Sequence, residues 1–192
     1  GIHPHEVEST NDSDYERLQE LYEKNSSYIK GFGEIGLDYV KLHSTPDSQR
    51  KHFERQLDIA YDLGLPVIVH NREADDDTLK ILKRAKPLQH GGIMHCFSSN
   101  FEFAQKVLDL GMIISIPGTV TFKNAATIQD VAKKIPLSSF VVETDGPFLA
   151  PHPYRGKRNE PAALIYTVQK IAELRQMDVS QIARETTLNA QR

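Results

Sequence analysis

Four short apolar runs in this chain each end on a side chain that can bind a divalent cation. The runs GFGE, PVIVH, GGIMH and VVETD end at Glu34, His70, His95 and Asp145. A β-strand presents the side chain at its tip to whatever lies beyond the sheet, and parallel strands share one carboxyl edge. The pattern predicts a sheet whose carboxyl edge carries one polar site built from these four residues.

Helical patterns separate the strand-like runs, as in parallel βαβ units. Continuous apolar runs such as VIV and MIISI indicate strands that are covered on both faces. Strands are predicted at 28–34, 66–70, 92–95, 112–116 and 140–144, and residues 1–3 fit the end of a sixth. Helices are predicted near 13–21, 46–63, 75–86, 101–110 and 128–135, with two more within 161–192.

Composition limits the class of protein. The chain has 192 residues, of which 39% are hydrophobic, enough for the core of one ordinary domain. No stretch approaches the roughly 20 apolar residues of a membrane span, and no signal peptide is visible, so we expect a cytoplasmic protein without a membrane partner. A net charge of -3 creates no general attraction for nucleic acid, so any phosphate contact requires a local basic patch.

Each of the four side chains has an ordinary structural interpretation when it is taken alone. A histidine after an aliphatic run is more often a hydrogen-bonded structural residue, and Glu34 between two glycines fits a solvated carboxylate. Asp145 begins the turn DGP, where aspartate commonly bonds the backbone. Their shared position relative to a strand favours a metal site, and imidazole with carboxylate suits Mg²⁺, Mn²⁺ or Zn²⁺. A single cysteine, Cys96, excludes both a thiolate cage and an internal disulfide.

Longer motifs carry a resemblance to a known family. GIHPH at 1–5, GEIGLDY at 33–39, PVIVHNR at 66–72, HCFS at 95–98, and ETDGPFLAP with RGKRNEP within 143–161 resemble TatD-family metal-dependent deoxyribonucleases. The resemblance runs through nearly the whole chain. It implies a (β/α)₈ TIM-type barrel, one or two divalent metal ions, and hydrolysis of phosphodiester bonds in DNA. By matching motif it implies that Glu34, His70, His95 and Asp145 are metal ligands.

The front of the chain departs from the family pattern. The family has an H-x-H pair on the first barrel strand, whereas HPH at 3–5 matches a separate motif at the end of the third strand. A barrel typically needs about 250 residues and eight strands. We therefore expect a single catalytic domain at 1–192, an incomplete barrel that lacks roughly its first two β/α units. We expect His3 to contact substrate or a metal ligand and His5 to be a loop residue.

Basic residues complete the predicted site. Arg155, Lys157 and Arg158 follow Asp145 closely enough to border the same rim and could bind phosphate oxygens. Arg72 is a further expected substrate contact. Phe148 and Tyr154 fit either stacking on single-stranded DNA or loop packing.

The predicted reaction is hydrolysis of DNA, with single strands as the expected substrate for an exonuclease and no obligate protein partner. Glu34 and Asp145 are the predicted catalytic residues, Asp145 as the acceptor of a proton from the attacking water. Two alternatives stay open. One is an amide or ester hydrolase such as an acyl-tRNA deacylase, and the other is an inactive fragment or binding module, because the H-x-H strand is absent.

Overall fold

The computed structural model of the chain describes residues 1–85 and 88–191. Two compact units make up the fold, Gly1–Met94 and His95–Arg192. Parallel strands and helices occur in both, so the predicted α/β class is confirmed. The single catalytic domain stays a prediction. Among the residues described, no helix is both long enough and apolar enough to cross a membrane.

The first unit is built on three parallel strands. Phe32 of the first strand lies opposite Val67 of the second, which in turn lies opposite Gly92 of the third. Phe53 on the second helix and Ile35 on the first strand are almost fully buried, so this helix covers one face of the strands with apolar side chains. The elements are α1 Asp12–Asn25, β1 Phe32–Asp38, α2 Pro46–Asp62, β2 Val67–Arg72, α3 Asp75–Arg84 and β3 Gly92–Met94.

The second unit pairs two parallel strands and packs four helices. Ile114 of the first of these strands lies opposite Phe140 of the second. Both are fully buried, as are Ile171 and Ile182 from the last two helices. Asn100 caps the first helix, because its Oδ1 accepts a hydrogen bond from the Phe103 amide at 2.9 Å. The elements are α4 Phe101–Asp109, β4 Ile113–Ile116, α5 Ala126–Lys134, β5 Phe140–Val142, α6 Leu164–Arg175 and α7 Val179–Ala190.

Several boundaries differ from the predicted ones. Strand β1 begins at Phe32 and continues to Asp38, because residues beyond Glu34 keep pairing with β2. Strand β2 likewise runs past His70 to Arg72. The prediction that Glu34 and His70 end their strands is therefore wrong. Residues 1–3 form no strand, and the predicted end of the third helix at 86 lies outside the described residues.

Candidate metal-binding sites

Glu34 leaves the regular pairing of β1. Gly33 lies opposite Ile68 and Ile35 opposite Val69, so Glu34 is the extra residue of a bulge. A bulge re-aims a side chain that a regular strand would point elsewhere. The Glu34 Oε2 atom lies 3.6 Å from Nδ1 of His70. The bulge thus brings together two predicted ligands that come from the interior of neighbouring strands.

His70 lies between two carboxylates. Its Nδ1 faces Glu34, and its Nε2 is 3.3 Å from Oδ2 of Asp38. Asp38 is 1% exposed. Burial opposes ionisation of Asp38, but hydrogen bonds from the Lys41 amide, the His5 ring and the Val40 amide outweigh it and lower the pKa of Asp38 to about 2. Asp38 is therefore a buried anion at neutral pH.

His3 approaches the same carboxylate as His70. Its Nε2 is 3.7 Å from Oε2 of Glu34, and the ligand atoms of His3, Glu34 and His70 all lie within 4.8 Å of one another. Burial and the neighbouring His70 and His5 rings lower the pKa of His3 to about 4, so this ring is neutral at neutral pH.

The position of the ring proton determines whether Nε2 of His3 is a hydrogen-bond donor or an acceptor. The His5 amide donates to its Nδ1 at 3.2 Å, which leaves the ring proton on Nε2, toward Glu34. His3 therefore presents an N–H donor, while Glu34 and His70 are the better metal ligands. The contact of His3 with substrate or a metal ligand stays a prediction.

His95 is the centre of a corresponding group in the second unit. Its Nδ1 is 2.7 Å from Oε2 of Glu143, and its Nε2 is 3.4 Å from Oδ1 of Asp145. Glu143 also accepts a hydrogen bond from the buried Ser115 hydroxyl. A carboxylate that holds one ring nitrogen and leaves the other for a cation is the usual arrangement around a metal-ligating histidine.

Asp145 follows β5 by three residues and adopts a left-handed backbone with φ 57°. The turn after it is closed by the Phe148 amide, which donates to the Asp145 carbonyl at 2.9 Å. The buried Asn159 side chain also holds this turn, because its Nδ2 donates to the carbonyls of Thr144 at 2.6 Å and Phe148 at 2.8 Å. These hydrogen bonds to main-chain carbonyls fix the turn, and Oδ1 of Asp145 faces Nε2 of His95.

The donor atoms fit a divalent cation. Each unit places a histidine against a carboxylate, a combination that suits Mg²⁺, Mn²⁺ and Zn²⁺. In the second unit, Oε1 of Glu143 is buried and has no hydrogen-bond partner among the residues that the structure describes, and a buried carboxylate oxygen of this kind is costly unless something positive compensates it. Cys96 adds one sulfur within 4.8 Å of the His95 and Glu143 ligand atoms. The residues that would hold metal are Glu34, His70, His95 and Asp145, with Oε1 of Glu143 as a further oxygen ligand in the second unit.

The basic residues that are predicted to contact substrate lie on exposed surface. Arg72 ends β2 and is exposed. In the loop after Asp145, the Arg155 guanidinium lies 4.5 Å from the centre of the Phe122 ring and Lys157 Nζ lies 5.6 Å from that of Tyr154. Arg158 is exposed in the same loop. The Asn159 amide donates to the carbonyl of Pro147 at 2.9 Å, so this basic loop is tied to the turn that carries Asp145.

Three residues of the candidate sites were not predicted from the sequence. Asp38 and Glu143 lie inside the motifs GEIGLDY and ETDGPFLAP, and carboxylates so near to predicted ligands were the available signal. His5 lies in a turn, as expected of a loop residue, yet its Nε2 is 2.8 Å from Oδ2 of Asp38. All three contact other polar residues around the predicted ligands.

Comparisons with known proteins agree with this chemistry. The family model of the TatD-related DNases matches residues 1–192. The uncharacterized metal-dependent hydrolase YabD of Bacillus subtilis (strain 168) is 42% identical over 194 residues, which cover 100% of this chain and 74% of YabD. The uncharacterized metal-dependent hydrolase YcfH of Escherichia coli (strain K12) is 41% identical over 189 residues, which cover 98% of this chain and 70% of YcfH.

A solved structure shares the fold. YjjV, a TatD homologue from Escherichia coli K12, superposes with a TM-score of 0.89 at 31% identity, covering 99% of this chain and 73% of YjjV. The family match from residue 1 to residue 192 gives no support to the expectation that the first two β/α units are missing. The chain belongs to the TatD-related DNase family.

Proposed function

We propose that this protein is a metal-dependent hydrolase that cleaves phosphodiester bonds in single-stranded DNA. The observation that carries the proposal is the repeated pairing of a histidine with a carboxylate, His70 with Glu34 and His95 with Asp145. The relatives named metal-dependent hydrolases support the reaction class. The (β/α)₈ barrel stays a prediction, supported by the parallel strands and by the likeness to YjjV.

A bound divalent cation polarises a phosphoryl oxygen and can lower the pKa of water from 15.7 to about 7. Glu34, His70, His95 and Asp145 are the residues that we assign to holding metal. The carboxylate of Asp145 also accepts a proton from the attacking water. His3 directs its N–H toward the Glu34 side and is suited to donate to a phosphate oxygen.

The composition of the loop after Asp145 favours a polyanionic substrate. Residues 146–159 contain Arg155, Lys157 and Arg158 and no acidic residue. Guanidinium and ammonium groups bind phosphate oxygens, and part of the affinity comes from release of the counterions of the nucleic acid. Arg155 and Lys157 are exposed, and each lies against an aromatic ring. The rings restrict the side chains, so less conformational entropy is lost when they bind a substrate.

Exposed aromatic rings in the same region favour a single strand. Phe148 is 68% exposed and Tyr154 is 40% exposed, and the Tyr154 ring lies 5.4 Å from that of Tyr166 in an edge-to-face pair. Exposed rings beside cations are the usual stacking surface for unpaired bases, whereas a duplex keeps its bases stacked on each other. We therefore favour single-stranded over double-stranded DNA.

The test is hydrolysis of a labelled single-stranded oligonucleotide with Mg²⁺ or Mn²⁺, compared with an aminoacyl ester under the same conditions. We expect cleavage of the oligonucleotide that chelation abolishes, and a loss of at least about 100-fold in the Asp145→Asn variant. The exposed Asp109→Asn in the same unit is the matched control. Cleavage of the ester alone would replace this proposal with an ester hydrolase, and no cleavage of either substrate would favour an inactive binding module.

A further inference from the structure

We infer that Asp38 is a positioning residue that fixes the ring proton of His70 on Nε2 and so turns the Nδ1 lone pair toward Glu34. The arrangement of the proton follows from hydrogen-bond geometry alone. Its consequence for metal binding rests on the proposed function.

The Asp38 carboxylate is fixed by its surroundings. Its Oδ1 accepts hydrogen bonds from the amides of Val40 at 2.9 Å and Lys41 at 2.8 Å. The main chain of Asp38 is held by the buried Gln49, whose Oε1 accepts from the Asp38 amide at 2.8 Å and whose Nε2 donates to the Asp38 carbonyl at 3.0 Å. With both its backbone and Oδ1 engaged, Asp38 has one oxygen left for side chains, and its place cannot shift at low cost.

That remaining oxygen faces two imidazole rings. The Oδ2 atom of Asp38 lies 2.8 Å from Nε2 of His5 and 3.3 Å from Nε2 of His70. An ionised carboxylate only accepts hydrogen bonds, so each of these nitrogens must carry a proton to bond it. A neutral imidazole has one proton, so His70 with its proton on Nε2 has a bare Nδ1.

The bare nitrogen faces an oxygen that is also an acceptor. His70 Nδ1 and Glu34 Oε2 are 3.6 Å apart, too far for a good hydrogen bond and suitably close for two ligands of one cation. A buried carboxylate on the far side of the ring raises the basicity of the metal-facing nitrogen and holds the ring plane. Asp38 thereby prepares His70 to bind metal through Nδ1.

The Asp38→Asn variant separates this role from simple packing. The introduced amide oxygen must take the place of Oδ1, because two backbone N–H groups point at it. The amide NH₂ then faces the two histidines, and as a donor it cannot accept a proton from His70 Nε2. The His70 proton should move to Nδ1, directly toward Glu34, where it removes the lone pair that metal binding needs.

His95 is an internal control for the same experiment. Glu143 accepts from its Nδ1, so the His95 proton lies on Nδ1 and the opposite nitrogen faces Asp145. The two histidines should therefore show opposite tautomers in one spectrum. Among the described residues, the hydrogen bonds given above for Asp38 all lie within the first unit, so Asp38→Asn should leave the His95 signal unchanged.

The experiment is long-range ¹H–¹⁵N NMR of the metal-free full chain at about pH 8, above the ordinary histidine pKa of about 6.5. We expect His70 protonated on Nε2 in the unmodified protein and on Nδ1 in Asp38→Asn, with His95 on Nδ1 in both. Mn²⁺ affinity, measured by electron paramagnetic resonance without substrate, should fall about 10- to 100-fold in the variant. The unmodified protein alone decides the main point even if the variant fails to fold, since a His70 proton on Nδ1 there would overturn the inference. An unchanged His70 tautomer in a folded Asp38→Asn variant would overturn it equally, and neither readout depends on DNA hydrolysis.

Discussion

A β-carbon on Gly36 would lie 2.0 Å from the carbonyl oxygen of His70. Gly36 has φ +137°, in the region that side-chain-bearing residues rarely adopt, and it pairs with His70 across β1 and β2. The second glycine of GEIG is thus required by the close approach of the strand that carries a predicted ligand.

The Gly36→Ala variant should lose folded protein or melt far below the unmodified protein. Gly111→Ala is the matched control, because Gly111 also has a positive φ, +80°, but a β-carbon there would meet no atom within 4 Å. Left-handed backbone alone costs about 1–2 kcal/mol, so Gly111→Ala should cost that much and Gly36→Ala distinctly more. Thermal unfolding followed by circular dichroism measures both, and equal losses would show that the contact with His70 is not limiting.

Glu143 should tune metal binding through His95. Glu143→Ala removes the acceptor from His95 Nδ1 and releases the ring to rotate, so Mn²⁺ affinity should fall about 10- to 100-fold. The control is Glu102→Ala, which removes an exposed carboxylate that forms a surface ion pair with Lys106. Isothermal titration of metal into both variants tests the role, and similar affinities for the two would remove Glu143 from it.

The four residues that we propose as metal ligands could be singled out from the sequence because each follows or lies within an apolar strand, a local pattern. Asp38 and Glu143 could not be predicted in their roles. The contact of Asp38 with His70 depends on the register of two strands separated by α2, and that of Glu143 with His95 joins positions 48 residues apart. The bulge at Glu34 was not predicted either, although a glycine inside a strand, such as Gly33 or Gly36, often marks one.

The stability of the folded protein at acid pH should depend on Asp77. A hydrogen bond from the Tyr39 hydroxyl at 2.6 Å, with the charge of Arg50 nearby, lowers the pKa of Asp77 despite some burial. Because the folded pKa lies below the unfolded value of about 3.9, the unfolded chain binds the proton more readily. The stability that Asp77 contributes is therefore present above about pH 4 and is lost as the pH falls through its folded pKa.

Asp77→Asn should consequently be less stable than the unmodified protein near pH 7, with the difference shrinking as the pH falls below about 4. Urea unfolding at a series of pH values measures the difference. Asp58→Asn, an exposed aspartate on α2, is the control and should show no such convergence. A constant gap between Asp77→Asn and the unmodified protein at every pH would contradict the assignment.

Substrate binding should depend on salt through the basic loop. Removing one phosphate contact from a single strand reduces the slope of log affinity against log salt by about 0.7. We expect this reduction for Lys157→Ala and Arg158→Ala, and none for Lys133→Ala on α5, which is also exposed. Fluorescence anisotropy with a labelled oligonucleotide and a chelator, which prevents cleavage, measures the slopes. Identical slopes for all three variants would place the nucleic acid elsewhere.

The most direct measurement is Mn²⁺ binding by the unmodified protein, Glu34→Gln and Asp145→Asn, followed by electron paramagnetic resonance in the absence of substrate. The assignment of His70 with Glu34 and of His95 with Asp145 to metal predicts that the unmodified protein binds Mn²⁺ and that both variants bind it at least about 10-fold more weakly. Binding that is unchanged in both variants, or no binding by the unmodified protein, would contradict the account.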